Sequence, residues 1–262
     1  MSTQDTDIRE QLKAYEGRLL GLIPAERIRA VAFPRPEARL IARYRALPDL
    51  TSSIADILDA HGVDTAIPTT LLAPIAPGQR MVGPAVTVKH GPARRNAGYN
   101  VANGTSPKLG ALDEVTLSQP GDVMVIDGSA VPGASNIGGI MATAVASHGF
   151  AGVVVDGCVR DTENMRRMGL PVWARGATPR TGKHRMELIE FNGTVDIAGV
   201  QVRPGDLVLG DSDGIIVVPL DLAEEVVKRA EEVAERESVL IKALSSGASA
   251  EDSAAIIAPE KW

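Results

Sequence analysis

The chain has 262 residues, 44% of them hydrophobic and only 3% aromatic, and carries a formal charge of -6. That length can bury a substantial core, whereas the acidic balance gives no basic field for a phosphate backbone and the few aromatics give little base stacking, so composition argues against nucleic acid as a direct partner. One cysteine, Cys158, excludes an intrachain disulfide framework and a thiolate-rich zinc site, while a polar start (MSTQDTDIRE) and the lack of a membrane-length apolar run lead us to expect a soluble, cytoplasmic protein.

Residues 5–22 carry Ile8, Leu12, Leu19 and Leu20 among charges, and a second helical stretch runs from Pro36 to Leu47 after a proline-containing break at 33–36. Together they predict a helical N-terminal extension over residues 1–50. Thr51, Ser52 and Ser53 then offer N-cap oxygens to SSIADILDAHG, whose Ile54, Ile57 and Leu58 share one helical face before Gly62 ends it. Residues 81–88 predict a strand. The following HGPARRNAGYNVANGTSPKLG is rich in Gly and Asn and predicts a long loop.

Beyond it the pattern alternates: a strand over 122–128, a glycine-rich turn, a helix over 137–149, a strand over 151–157 and a helix over 161–169. Regular exchange of strand and helix predicts an α/β layered fold. Short apolar runs broken by PGD and DSDG turns over 194–219 predict β-hairpins, and 220–244 predicts a long amphipathic helix trailing into a polar tail. The expected organisation is a single domain, with an α/β core over 51–222 and a C-terminal helix and tail over 223–262.

The segment GFAGVVVDGCVRD, residues 149–161, runs a β-branched strand into adjacent charges at a strand end, where open α/β sheets place ligands. Arg160 offers a planar fork of donors for a carboxylate, and Asp161 is a hard oxygen ligand for Mg2+ or Mn2+. Two readings stand side by side here: an oxo-acid and metal site, or Asp161 as the N-cap of the next helix with Arg160 in a surface ion pair. The glycines of GASNIGGIM, residues 133–141, start a helix whose free amides could hold an anion; they could equally serve close helix–strand packing. Cys158 has no neighbouring His or Asn in sequence and reads as a buried small hydrophobe. His61, His90, His148 and His184 are too widely spaced for a helical zinc pair. Asp211 and Asp213 fit a tight turn, and Glu231, Glu232, Glu235 and Glu237 a solvated helix face.

VVVDGCVRD, preceded by GGIMATAVASHGFAG and followed by MGLPVWARG, stands in order with VGPAVTV, QPGDVMVIDG and VRPGDLVLGDSDGIIVVP. This combination, over about Thr51 to Glu237, resembles the family that contains regulator of ribonuclease activity A and 4-hydroxy-4-methyl-2-oxoglutarate aldolase. The resemblance implies a β/β/α layered, swivelling-domain-like fold assembling as homotrimers or homohexamers, with active sites at subunit boundaries. It assigns Arg160 to the pyruvate carboxylate, Asp161 to the metal, and the backbone of Gly138, Gly139, Ile140 and Met141 to the substrate pocket. Mg2+ or Mn2+, held largely through waters, would stabilise the enolate formed by retro-aldol cleavage to pyruvate or by oxaloacetate decarboxylation.

The sequence departs from the aldolase pattern at Gly139, where an acidic residue is common, so a carboxylate that orients metal-bound water is missing. Asp56 and Glu237 align with other acidic positions, Glu237 as a catalytic candidate reaching a neighbouring subunit. His90, Arg94, Arg95 and Asn96 of the long loop either read a second carboxylate or sugar-acid hydroxyl, or form a solvated surface. The expected activity is a metal-dependent (class II) carbon–carbon lyase on a small 2-oxo-acid. The alternatives are a metal-dependent dehydratase or isomerase of a sugar-derived acid, and a non-catalytic protein-binding regulator of a ribonuclease.

Overall fold

Period-2 alternation in the central strands sets the layering. A computed structural model describes residues 3–257; the first two residues and the end of the C-terminal tail, 258–262, lie outside the described residues. Helix α1 (Thr3–Leu12) and a 3-10 turn end the first helical stretch well short of residue 22, because Gly17 and Gly21 adopt positive φ and turn the chain away. Helices α2 (Ala38–Ala46) and α3 (Ser52–Ala60) follow as expected. Thr51, however, does not cap α3 with its side chain: its N–H and Oγ1 both donate to Asp211, at 3.0 and 2.7 Å.

The strands are β1 (Ala66–Pro68), β2 (Ala73–Pro74), β3 (Met81–Pro92), then, after α4 (Ala97–Asn103) and α5 (Leu112–Thr116), β4 (Val123–Asp127) and β5 (Ser135–Ile137). Next come α6 (Gly139–His148), β6 (Gly152–Val159), α7 (Thr162–Met168), β7 (Val172–Ala177), β8 (Met186–Phe191), and the β9 (Val195–Ile197) and β10 (Val200–Val202) hairpin. Strands β11 (Leu207–Gly210) and β12 (Gly214–Val218) lead to α8 (Ala223–Ser245) and α9 (Ala250–Ile256).

The long loop expected after residue 88 is corrected by the structure. β3 continues to Pro92 with a register shift between Lys89 and His90, and residues 97–103 form α4. The Asn- and Gly-rich composition that suggested a loop supplies helix ends instead: the Asn96 side chain accepts from Tyr99 N–H, and Gly104 closes α4 in the left-handed region. Likewise the expected polar tail contains α9, started by a capping box between Ser249 and Asp252.

The ten-stranded sheet runs β1-β12-β11-β3-β4-β6-β7-β2, with β5 on β6 and β8 on β3. β3, β4, β6 and β7 are parallel neighbours; β11, β12 and β1 extend the sheet antiparallel from the start of β3. Met124 and Ile126 of β4 face a cluster with Val145 of α6 and Met165 of α7, whereas Val123 and Val125 face Trp173 and the β9–β10 hairpin residues Val195 and Val202. One face is therefore covered by helices and the other by a small second sheet, a mixed α/β single domain with helical termini. A third cluster joins Leu50, Ile54 and Leu58 to Leu209, Ile216, Val226 and Val227, and so ties α3 and α8 to the antiparallel half.

The acidic stretch of α8 is more than a solvated face: Arg43 of α2 forks onto both oxygens of Glu231 at 2.8 Å and also bonds Glu224. The guanidinium holds the Glu231 carboxyl below its ordinary range. Among the described residues no helix is long and apolar enough to cross a membrane.

Candidate functional site

β6 is buried along all eight residues and continues past Gly157 to Val159, delivering Arg160 and Asp161 at its carboxyl end. Beside it, Gly138 occupies the N-cap of α6, so the first turn of that helix opens toward the same point. Asp161 occupies the N-cap position of α7 and pairs with Arg160 at the surface, as the second of the two readings expects, but its side chain makes no capping bond to α7. Its backbone is left-handed (φ 59°), and its Oδ2 accepts the Gly139 N–H at 2.8 Å across to the other helix. Among the described residues the Arg160 guanidinium has no hydrogen-bond acceptor in the protein, and Asp161 Oδ2 lies 3.8 Å from its Nε.

The two glycines make this approach possible. A Cβ on Gly138 would stand 2.8 Å from Arg160 Nε, and one on Gly139 would stand 3.2 Å from Asp161 Oδ2 and 3.1 Å from Asn164 Nδ2. Gly139 is thus a spacing residue: a carboxylate side chain there would press on the Asp161 carboxylate. The first-turn amides of Ile140 and Met141 belong to the group that no intrahelical carbonyl can satisfy, and the positive end of the helix dipole adds to their pull on an anion.

Adjacent as they are, Arg160 and Asp161 line different cavities. Asp161 opens onto one of about 640 Å³, with Gly139, Thr143, Glu163 and Asn164 around it. Arg160 lines one of about 420 Å³, with His90, Glu114, Asn136, Met141 and Lys183. Ile140 belongs to both and is 87% exposed, forming a ridge between them. Among the described residues no three His, Cys, Asp or Glu side chains gather into a chelating group. What Asp161 offers is one half-exposed carboxylate, with the Glu163 carboxylate, the Thr143 and Thr162 hydroxyls, the Asn164 amide and the Arg167 guanidinium on the same cavity; its oxygens are hard donors of the kind that fit Mg2+ or Mn2+ retaining most of its waters.

The second cavity contains features the sequence did not announce. His90, Glu114 and Asn136 come from β3, α5 and β5, and all three are at least nine-tenths buried. His90 Nδ1 lies 3.2 Å from Asn136 Oδ1, while His90 Nε2, Glu114 Oε1 and Asn136 Nδ2 are buried without a hydrogen-bond partner. Each such atom costs about 1–3 kcal/mol, so three in one cavity wall call for a function. The N-terminal extension completes the wall: Asp113 accepts the backbone N–H groups of Leu20 and Leu22, and Lys108 donates to the Gly21 carbonyl, which holds Leu22 at the cavity edge.

Other candidates fall elsewhere. Arg94, Arg95 and Asn96 are exposed and line neither cavity; Asn96 caps α4 and Arg95 lies over the Tyr99 ring. His90 is the one member of that group at the site. Glu237 is half-buried on α8, which packs on α2 and α3, and Asp56 is exposed on α3; within one subunit neither lines a cavity with Arg160 or Asp161. Cys158 is buried, and burial pushes its thiol up. Asp211 accepts the Asp213 N–H in a tight turn. His61, His148 and His184 sit apart, near Glu225, Ser118 and Ser106 respectively.

Residues 51–217 match the RraA-like family, described as Aldolase/RraA. A protein of Halalkalibacterium halodurans named "Putative 4-hydroxy-4-methyl-2-oxoglutarate aldolase" is 32% identical over 194 residues, 74% of this chain and 83% of that one. An uncharacterised protein from Pseudomonas syringae superimposes with a TM-score of 0.72 at 29% identity, covering 84% of this chain and 99% of that one. Streptomyces coelicolor RraAS2, described as an unusual member of the RNase ES inhibitor RraA protein family, superimposes with a TM-score of 0.67 at 27% identity, over 79% and 98%.

Proposed function

The chain belongs to the RraA-like (Aldolase/RraA) family, and from that premise we propose that it is a divalent-metal-dependent lyase that cleaves a small 2-oxo-acid at the Arg160–Asp161 junction. The observation that carries the reading is the juxtaposition itself: a guanidinium that is ion-paired to the adjacent Asp161 carboxylate at 3.8 Å but hydrogen-bonded to no protein acceptor among the described residues, and an open helix N-terminus, all within one turn of the end of β6. The aldolase names of relatives support a lyase at the level of the family.

In this reading Arg160 forks onto the substrate carboxylate, and the amides of Ile140 and Met141 bond its remaining oxygen lone pairs. Asp161 holds Mg2+ or Mn2+, which when bound supplies Lewis-acid polarisation of the 2-oxo group. Asp161 is itself held in place by the Gly139 N–H, so the two charges keep a fixed separation suited to the carboxylate and oxo ends of one ligand. The ligand lies over Ile140, with its distal part in the cavity beside Glu114 and Lys183. We assign the working form to a homotrimer or homohexamer with the site at a subunit boundary, which would cover the exposed Ile140 and allow Glu237 of a neighbouring copy to approach.

Purified protein should release pyruvate from one or more 4-hydroxy-2-oxo-acids, or from oxaloacetate, with Mg2+ or Mn2+, and EDTA should abolish the release. The likeness to RraAS2 supports a second reading, a non-catalytic regulator that binds a ribonuclease. Capture of a nuclease partner, with no turnover across a panel of 2-oxo-acids, would decide for it. Product NMR separates both from dehydration or isomerisation of a sugar-derived acid, in which no carbon–carbon bond breaks.

A further inference from the structure

We propose that Glu114 is the acid–base group of the Arg160 cavity, with His90 and Asn136 as positioning residues behind it. The proposal rests on the lyase reading above and names the proton carrier that reading lacks, since position 139 has no side chain. Glu114 is the one carboxylate among the described residues lining this cavity, and His90 the one imidazole. Its Oε1 lies 3.6 Å from His90 Nε2, and neither atom has a hydrogen-bond partner although both are buried. A shift of a few tenths of an ångström on ligand binding closes that gap, as catalytic hydrogen bonds that are long in the free enzyme commonly do.

The surroundings are built to hold this arrangement. With its Nδ1–H donated to Asn136 Oδ1, 3.2 Å away, His90 turns the Nε2 lone pair toward Glu114, so the Nε2–Oε1 contact closes when Glu114 carries the proton it has taken. Asn136 in turn lies on Gly128 and Gly157: a Cβ at either would come within 2.4 Å of its Nδ2, so both positions need glycine to admit it. On the other side, Gly110 gives room to Glu114, whose Oε1 would lie 2.5 Å from a Cβ there. Three glycines and three buried polar side chains, drawn from separate elements, thus converge on one cavity wall.

The chemistry balances within the substrate. With a 4-hydroxy-2-oxo-acid, the Glu114 carboxylate takes the proton of the C4 hydroxyl; the O–H electron pair becomes the new carbonyl of the departing fragment. The C3–C4 bond breaks and its electron pair passes toward the 2-oxo group as the enolate of pyruvate. Protonated Glu114 then returns the proton to C3, giving pyruvate. One O–H and one C–C bond are exchanged for one C=O and one C–H, and no further reactant enters.

The test isolates the proton step. Deuterium exchange into the pyruvate methyl group in D2O, followed by NMR with Mg2+-loaded full-length protein, is compared with calorimetric binding of oxalate. Wild type should exchange and bind. Glu114→Gln should exchange on the order of 10²- to 10⁴-fold more slowly while oxalate affinity stays within about threefold, and Glu114→Asp should recover part of the rate. His90→Gln should lower the exchange kcat about tenfold with KM for pyruvate unchanged, the split expected of a residue that acts through another. Exchange at the wild-type rate in Glu114→Gln would overturn the proposal. So would a loss of oxalate binding equal to that of Arg160→Ala, which would make Glu114 a structural support. If wild type itself neither exchanged nor bound oxalate, the lyase reading would fail first, and the proposal with it.

Discussion

The cavities on either side of Ile140 are built on opposite principles. The Asp161 side is open, lined by hydroxyl, amide and carboxylate groups with Arg167 and by the first turns of two helices; the Arg160 side holds three buried polar side chains and is walled by the N-terminal extension. Open oxygen donors suit a hydrated cation that must exchange waters, whereas a desolvated pocket strengthens each charge interaction and makes proton transfer directional. The difference teaches that one sequence step, from residue 160 to 161, separates two environments, one open and one partly buried, on either side of Ile140.

Removing the cation side should have the largest effect. Asp161→Ala is expected to lower pyruvate release on the order of 10³-fold or more, the several kcal/mol that Lewis-acid stabilisation supplies. Added metal should not restore it, and steady-state kinetics with and without EDTA check this. Arg160→Ala should act mainly on binding, raising KM about 10- to 100-fold with a smaller fall in kcat. Arg160→Lys should recover only part of this, because a lysine cannot fork onto a carboxylate. If the two variants gave the same kinetic signature, the division of labour across Ile140 would be wrong.

Gly139→Asp sharpens the same comparison at the ridge. Its Cβ would enter within 3.2–3.3 Å of Asp161 and press on Asn164. We therefore expect it to lower turnover about tenfold, by displacing Asp161 on the scale at which misplaced catalytic groups lose rate, with Tm also reduced. A gain in turnover would show that the missing acid, and not the spacing, limits this chain. The smallest effect concerns Cys158: burial raises its thiol, so at neutral pH it stays protonated and alkylates much more slowly than a free thiol. Iodoacetamide labelling followed by mass spectrometry checks this, and pyruvate release should be unchanged over the same interval.

Much of the site's frame was legible in the sequence. Val153–Val155 announced β6, and the alternating runs gave the α/β layering, because local propensity and burial agree there. The segment quoted from Gly138 does open α6, and Arg160 and Asp161 do follow the end of β6. The segment after Val88 misled because Asn and Gly mark helix ends as often as loops, and only the hydrogen bond from Tyr99 N–H to Asn96 distinguishes the two. Glu114 and Asn136 could not be found by spacing, since 24 to 46 residues separate them from His90, and only the packing of α5 and the pairing of β5 with β6 bring them beside β3. The available signal was indirect: Gly157 interrupts β6 just past the Asp127–Asp156 pairing with β4, and Gly128 follows the end of β4, both where glycine is otherwise unfavourable. Glu237 and Asp56 stand on α8 and α3, and within one subunit neither lines a cavity with Arg160 or Asp161.

The central claim is that Arg160 and Asp161 serve one ligand from two cavities. Calorimetric binding of oxalate, a dianion resembling the pyruvate enolate, in the presence of Mg2+ tests it across wild type, Arg160→Ala, Asp161→Ala and the double variant. The account predicts that each single variant loses affinity and that the double loses less than the sum, a coupling of about 1–3 kcal/mol. Oxalate bound with wild-type affinity by both single variants, or losses that simply add, would contradict it.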